Sequence, residues 1–259
     1  ATGWATSSGG TPALANFPLA QDTAVFDNTG SVTGTITING SWNIGTFDAS
    51  LRTSAMTLTT STNNPLVYGD WKFGTGVTTS SAAFPVIFSK RGTQTITNNG
   101  VTFNFPLQVN SFSGVTQLAD ALTISSSRSL NVISGTFDAV SYNVTTGSFS
   151  DSGAIPTGGV KILKMGSGTW TLSGIGTVWS GSSLATAPAV FYKGTANIVL
   201  SDTSTSARTF ATGAATTLSY NKLTIGGTTG TSTLTITGNN QFTELASKFS
   251  KAAFNAYVS

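Results

Sequence analysis

A short phrase recurs along this chain: threonine, apolar, threonine, apolar, small polar, with glycine close behind. It reads Thr35-Ile36-Thr37-Ile38-Asn39-Gly40, then Thr169-Trp170-Thr171-Leu172-Ser173-Gly174, then Thr233-Leu234-Thr235-Ile236-Thr237-Gly238. Looser copies include Ala55-Met56-Thr57-Leu58-Thr59, Thr95-Ile96-Thr97-Asn98-Asn99-Gly100, Ala121-Leu122-Thr123-Ile124-Ser125 and Lys222-Leu223-Thr224-Ile225-Gly226. Strict alternation sends apolar side chains to one face and threonines to the other, which is the period of a half-buried strand. Threonine is β-branched and favours extended backbone even on a wet face. Glycine, or Asn-Gly, then allows a sharp corner, so Gly40, Gly100, Gly174 and Gly238 are the expected turn positions. Each phrase predicts one strand ending in a tight turn.

A longer echo points to duplication of a multi-strand unit. Gly45-Thr46-Phe47-Asp48-Ala49 returns letter for letter as Gly135-Thr136-Phe137-Asp138-Ala139. Composition fits a repeat of this kind: 46 Thr and 34 Ser among 259 residues, with 29 Gly and only 8% charged side chains. Disorder is excluded by 39% hydrophobic content with 16 Phe spread evenly along the chain. Helical patterning is nearly absent before residue 240, where no Glu occurs at all. The expected fold is therefore all-β. A right-handed parallel β-solenoid comes first, because stacked coils of twenty-odd residues are rich in Thr, Ser, Asn and Gly, and like charges in register would repel. About ten coils would make a rod on the order of 50 Å long. Antiparallel β-sandwich domains are the alternative, since Asn39-Gly40 and Asn99-Gly100 are also hairpin signals.

Three segments are expected: an N-terminal extension or attachment segment over 1–20, the solenoid over 21–241, and a C-terminal cap or linker over 242–259. The last gains Ala, Glu and Lys, and Leu245, Phe249, Ala252, Ala253 and Ala256 fall on one helical face, which predicts a short helix. A first coil near Ala24-Val25-Phe26 would leave apolar surface bare unless oligomerisation covered it.

The chain has neither His nor Cys, which removes Ser-His-Asp and Cys-His mechanisms and most zinc sites. No Walker loop and no Asp-x-Asp-x-Asp calcium loop is present, so no cofactor or metal is expected. Paired carboxylates are the remaining enzymatic route, with Asp48 and Asp138 as the pair to consider. Aspartates that hold turns by bonding local backbone are the simpler reading, and the expectation is a protein without catalytic residues. The formal charge of +3 is scattered, so no nucleic-acid partner is expected. No run of eighteen apolar residues offers a membrane-spanning helix. Exposed tryptophans stack sugars, which makes Trp71 and Trp179 the candidate glycan contacts.

Gly166-Ser167-Gly168-Thr169-Trp170-Thr171-Leu172-Ser173-Gly174 resembles the glycine- and threonine-rich repeat of autotransporter passenger domains. The block from Ser134 to Trp179, with Gly135-Thr136-Phe137-Asp138 and Tyr142-Asn143-Val144-Thr145, resembles repeats of environmental phage structural proteins. So does Ile198-Val199-Leu200-Ser201-Asp202-Thr203 leading to Asn221-Lys222-Leu223-Thr224-Ile225-Gly226. The resemblance implies a fibre, head-decoration or tail-associated protein on the virion surface. It implies partners among other virion proteins or copies of itself, a trimer first, and host surface glycans. A bacterial surface adhesin and a polysaccharide-degrading β-helix enzyme are the alternatives.

Overall fold

A computed structural model describes residues 3–29, 34–40, 42–61, 63–226 and 233–247. Every strand ladder among them is parallel, and successive strands stack coil upon coil for about nine turns. The chain forms a β-solenoid, and the antiparallel sandwich is set aside. The two Asn-Gly pairs lie at corners of coils; neither joins a hairpin. Register partners in neighbouring coils lie from 19 residues apart, at Leu130 and Phe149, to 32 apart, at Gly176 and Arg208. At about 4.8 Å per coil the stack is roughly 40 Å long.

Three columns of strands make up the coil. The first runs from Asn43–Ile44 through Leu66–Val67, Val86–Phe88 and Ser148–Ser150 to Arg208–Thr212 and Leu234–Thr237. The second contains Thr23–Val25, Thr46–Asp48, Trp71–Lys72, Thr93–Thr97, Lys161–Lys164 and Ala189–Tyr192. The long strands Leu107–Leu118 and Ser129–Asp138 bend from one column into the other, so both belong to one 15-stranded sheet. The third column holds Gly34–Ile38, Met56–Thr60 and Val77–Thr79, followed by a seven-stranded sheet from Thr102–Phe103 to Asn240–Ser247. Between those two sheets, side chains take over from the regular ladder. Buried Thr79 donates through Oγ1 to the Thr102 carbonyl at 2.6 Å and accepts from the Asn104 amide at 2.8 Å.

Alternation dictates the interior. In Met56–Thr60 the odd members of the strand face inward and are buried, while Thr57 and Thr59 face out. Inward aromatics then meet across coils: Phe47 stacks on Trp71 with centroids 4.2 Å apart, and Trp179 on Phe210 at 5.3 Å. Such contacts bury 150–250 Å² per ring and fix the register from one coil to the next. The repeated pentapeptide behaves as a true duplication. Asp48 and Asp138 both sit in the second column, each opposite a lysine of the following coil, Lys72 and Lys164.

Both ends differ from expectation. At the N-terminus Ala24 and Phe26 are buried, because Trp4 of the preceding segment packs edge-on against Phe26 at 5.1 Å. The first coil is therefore covered within the chain, held partly by the antiparallel bridge between Trp4 and Ala13. At the other end, no helix begins at Phe242. Asn240–Ser247 is a strand paired with the coil before it, so the solenoid runs past the expected boundary at 241. Phe242 stacks on Tyr220 at 5.3 Å and Glu244 bonds Lys222 at 2.6 Å, contacts that only the extended register provides. Of the expected helical face, Phe249, Ala252, Ala253 and Ala256 lie outside the described residues.

Candidate functional site

Neither candidate glycan tryptophan reaches the surface. Trp71 and Trp179 are both 0% exposed and belong to the inward aromatic stack: Trp71 alternates in phase with buried Phe73, and Trp179 follows buried Val178 at a register shift and alternates with Gly181. Trp179 donates through Nε1 to the Tyr220 hydroxyl at 3.1 Å, and burial pushes that phenol well above its usual range. Trp71 Nε1 is buried without a hydrogen-bond partner. Of the four expected turn glycines, Gly100 and Gly238 have φ of 77° and 83°, the left-handed region that favours glycine. Gly174 is needed for a different reason: a Cβ there would meet the Gly147 carbonyl oxygen at 2.5 Å. Gly40 has neither feature, and its carbonyl simply accepts from the Trp42 amide at 2.9 Å.

Asp48 and Asp138 stand four coils apart, on the order of 19 Å, too far to act as a glycosidase pair. Each has a structural partner set instead. Asp48 Oδ1 accepts from the Ser50 amide at 2.9 Å and Oδ2 lies 3.9 Å from Lys72. Asp138 Oδ1 accepts from the Val140 amide at 2.9 Å and Oδ2 lies 3.4 Å from Lys164. Among the described residues no group of three His, Cys, Asp or Glu is placed to hold a metal.

A charged cluster lies inside. Lys161, fully buried, donates through Nζ to the carbonyls of Asp151 and Gly153, the latter at 3.0 Å. Asp151, also buried, accepts the Leu184 amide through Oδ2 at 2.5 Å. Burial pushes the Asp151 carboxyl up and the Lys161 amine down from their ordinary values. Together the two side chains tie the loop after Ser150 to the loop after Gly181, where the longest coils carry their extra residues. Arg52 does comparable work near the N-terminal end, donating to the carbonyls of Asp27, Ser54 and Ala55. These groups close loops; sequence spacing gives no sign of them beyond the unequal coil lengths.

The outer surface is divided. On the third column, register aligns Thr35, Thr57 and Thr78, then Thr102, Thr123, Thr145 and Thr171. Thr57 and Thr78 share a hydrogen bond between hydroxyls at 3.0 Å. No Asp, Glu, Lys or Arg occurs on these strands until Lys222 and Glu244 near the C-terminal end. The second column instead pairs Asp48 with Lys72 and Asp138 with Lys164 across coils, and Asp70 lies 3.7 Å from Lys72 within one coil.

A pocket of about 590 Å³ opens beside the first coil, walled by Trp4, Phe17, Leu19, Gln21, Trp42 and Asn43. Phe17 and Leu19 are 62% and 45% exposed. The apolar spacing of Trp4, Phe17 and Leu19 within the first twenty residues is the only sequence sign of it. A smaller pocket of about 350 Å³ lies over Lys161, between Gly153 and Pro188.

The fold and surface define a parallel β-solenoid. No family model, no curated protein and no solved structure matches this chain.

Proposed function

We propose that this chain is a non-enzymatic structural component of a phage virion, a stiff spacer or decoration on the particle surface. The observation that carries this reading is the unbroken inward stack of aromatic and aliphatic side chains, which links consecutive coils from Phe26 to Phe242. A stack in which every coil buries its neighbour resists bending and local opening. The uncharged threonine surface and the likeness of its repeats to phage structural proteins support the same reading. Self-association through a trimer belongs to the proposal, although the bare first coil that would have demanded it is already covered by Trp4.

Immunogold electron microscopy with an antibody against the chain tests this assignment. Label on purified particles at a fixed position is the expected result. Label confined to bacterial cell walls would replace the virion by an adhesin. Release of reducing or unsaturated sugar ends from host polysaccharide, lost on Asp48→Asn or Asp138→Asn, would overturn the non-enzymatic reading.

A further inference from the structure

We infer that the pocket beside the first coil is a binding site for a neutral sugar unit. Its walls combine two kinds of group. Trp4 and Trp42 meet edge to face with centroids 6.4 Å apart, and Phe17 adds a third ring. Among them stand the Gln21 and Asn43 amides. Neither amide, and neither indole N–H, makes a hydrogen bond with any described residue. The site thus offers aromatic faces together with four unused polar groups.

That mixture selects its ligand. A purely apolar molecule would bury polar groups without partners, at about 1–3 kcal/mol for each one fully desolvated. An ionic ligand finds no counter-charge among the wall residues, none of which is ionisable, and Asp22, next in sequence to Gln21, already accepts the Leu19 amide at 2.8 Å. A second copy of the chain needs about 800 Å² per partner, a broad face rather than a concavity of about 590 Å³. That volume lies in the range of roughly 300–1,000 Å³ typical of small-molecule sites. A neutral pyranose presents a C–H face to an aromatic ring and hydroxyls to amides at its edge, so it meets both demands at once.

Titration calorimetry of the full chain against a panel of neutral oligosaccharides, with the panel's sialylated and sulfated counterparts as comparators, tests the proposal. At least one neutral oligosaccharide should bind, with a change in tryptophan fluorescence. Gln21→Ala and Asn43→Ala remove exposed amides that brace nothing. Each should weaken that binding about three- to tenfold with the melting temperature unchanged. Phe17→Ala should weaken it as well. Binding of no neutral member, binding indifferent to Gln21→Ala and Asn43→Ala, or preference for the charged comparators would each overturn the assignment. So would concentration-dependent dimerisation abolished by Phe17→Ala, which would make the pocket a self-interface. The virion reading stands or falls separately, on the position of the gold label.

Discussion

The second and third columns of this solenoid face solvent with opposite chemistry over one shared core. The second places Asp48 against Lys72 and Asp138 against Lys164, each acid answered by a base one coil away. The third carries threonines at equivalent positions of successive coils and no charge before Lys222. A parallel stack brings equivalent residues within about 4.8 Å, so any repeated charge would face its own copy. The chain has met that constraint in two ways: alternate the sign, or use none. Duplication of a unit carrying an aspartate is tolerated only where a lysine follows in the next coil. A neutral β-branched residue can be repeated at successive coils without such a partner, which is why the simplest phrase in the sequence is also the most often copied.

The tryptophans behind the two columns should respond differently. Trp170, inside the third column, donates to the Met165 carbonyl at 3.0 Å, whereas Trp71, inside the second, leaves its indole N–H unpaired. Replacement by Phe removes similar volume from each. Trp170→Phe also strands a buried acceptor, so it should cost about 1–3 kcal/mol more than Trp71→Phe in urea denaturation. Equal losses would mean that the two interiors do not differ in this way.

A next test attacks the outer surface. Thr123→Asp combined with Thr145→Asp places like charges opposite each other on the third column. The pair should cost more than the sum of the single variants by up to about 1 kcal/mol, and the excess should shrink as salt is raised. Strict additivity would count against the register. On the second column the effect should be smallest: Asp138→Asn loses a half-exposed ion pair but keeps an acceptor for the Val140 amide, so thermal unfolding should shift by less than about 1 kcal/mol.

Much of the coil was legible in the sequence. The phrase at Thr169–Gly174 gave a strand with the correct inward set, Trp170 and Leu172, because a period of two leaves no other choice. The doubled Gly-Thr-Phe-Asp-Ala gave the repeat, although in its second copy Gly135 and Thr136 are buried alongside Phe137. The alternation of Trp71 with Phe73 carried the same message, yet a tryptophan beside Lys72 reads equally well as an exposed platform until the coil below is in place. The C-terminal segment misled by composition. Glu244, Ala246 and Leu245 favour a helix locally, but a strand there gains Phe242 on Tyr220 and Glu244 on Lys222, and tertiary contacts outweigh propensity. Arg52, Asp151 and Lys161 were not readable at all. Their partners are loop carbonyls and amides whose positions depend on how unequal coils stack.

The absence of native cysteine makes the parallel register open to direct measurement. Thr145 and Thr171 face outward at partnered positions of adjacent coils, while Thr224 lies two coils beyond Thr171 in the same line. Neighbouring positions fall within disulfide reach, where Cα atoms are about 4.4–6.8 Å apart, and positions three coils apart do not. Thr145→Cys with Thr171→Cys should form an intramolecular disulfide under mild oxidation, visible as a mass loss of about two hydrogens. Thr145→Cys with Thr224→Cys should not. Cross-linking of the distant pair, with none in the adjacent pair, would contradict the stacked parallel solenoid.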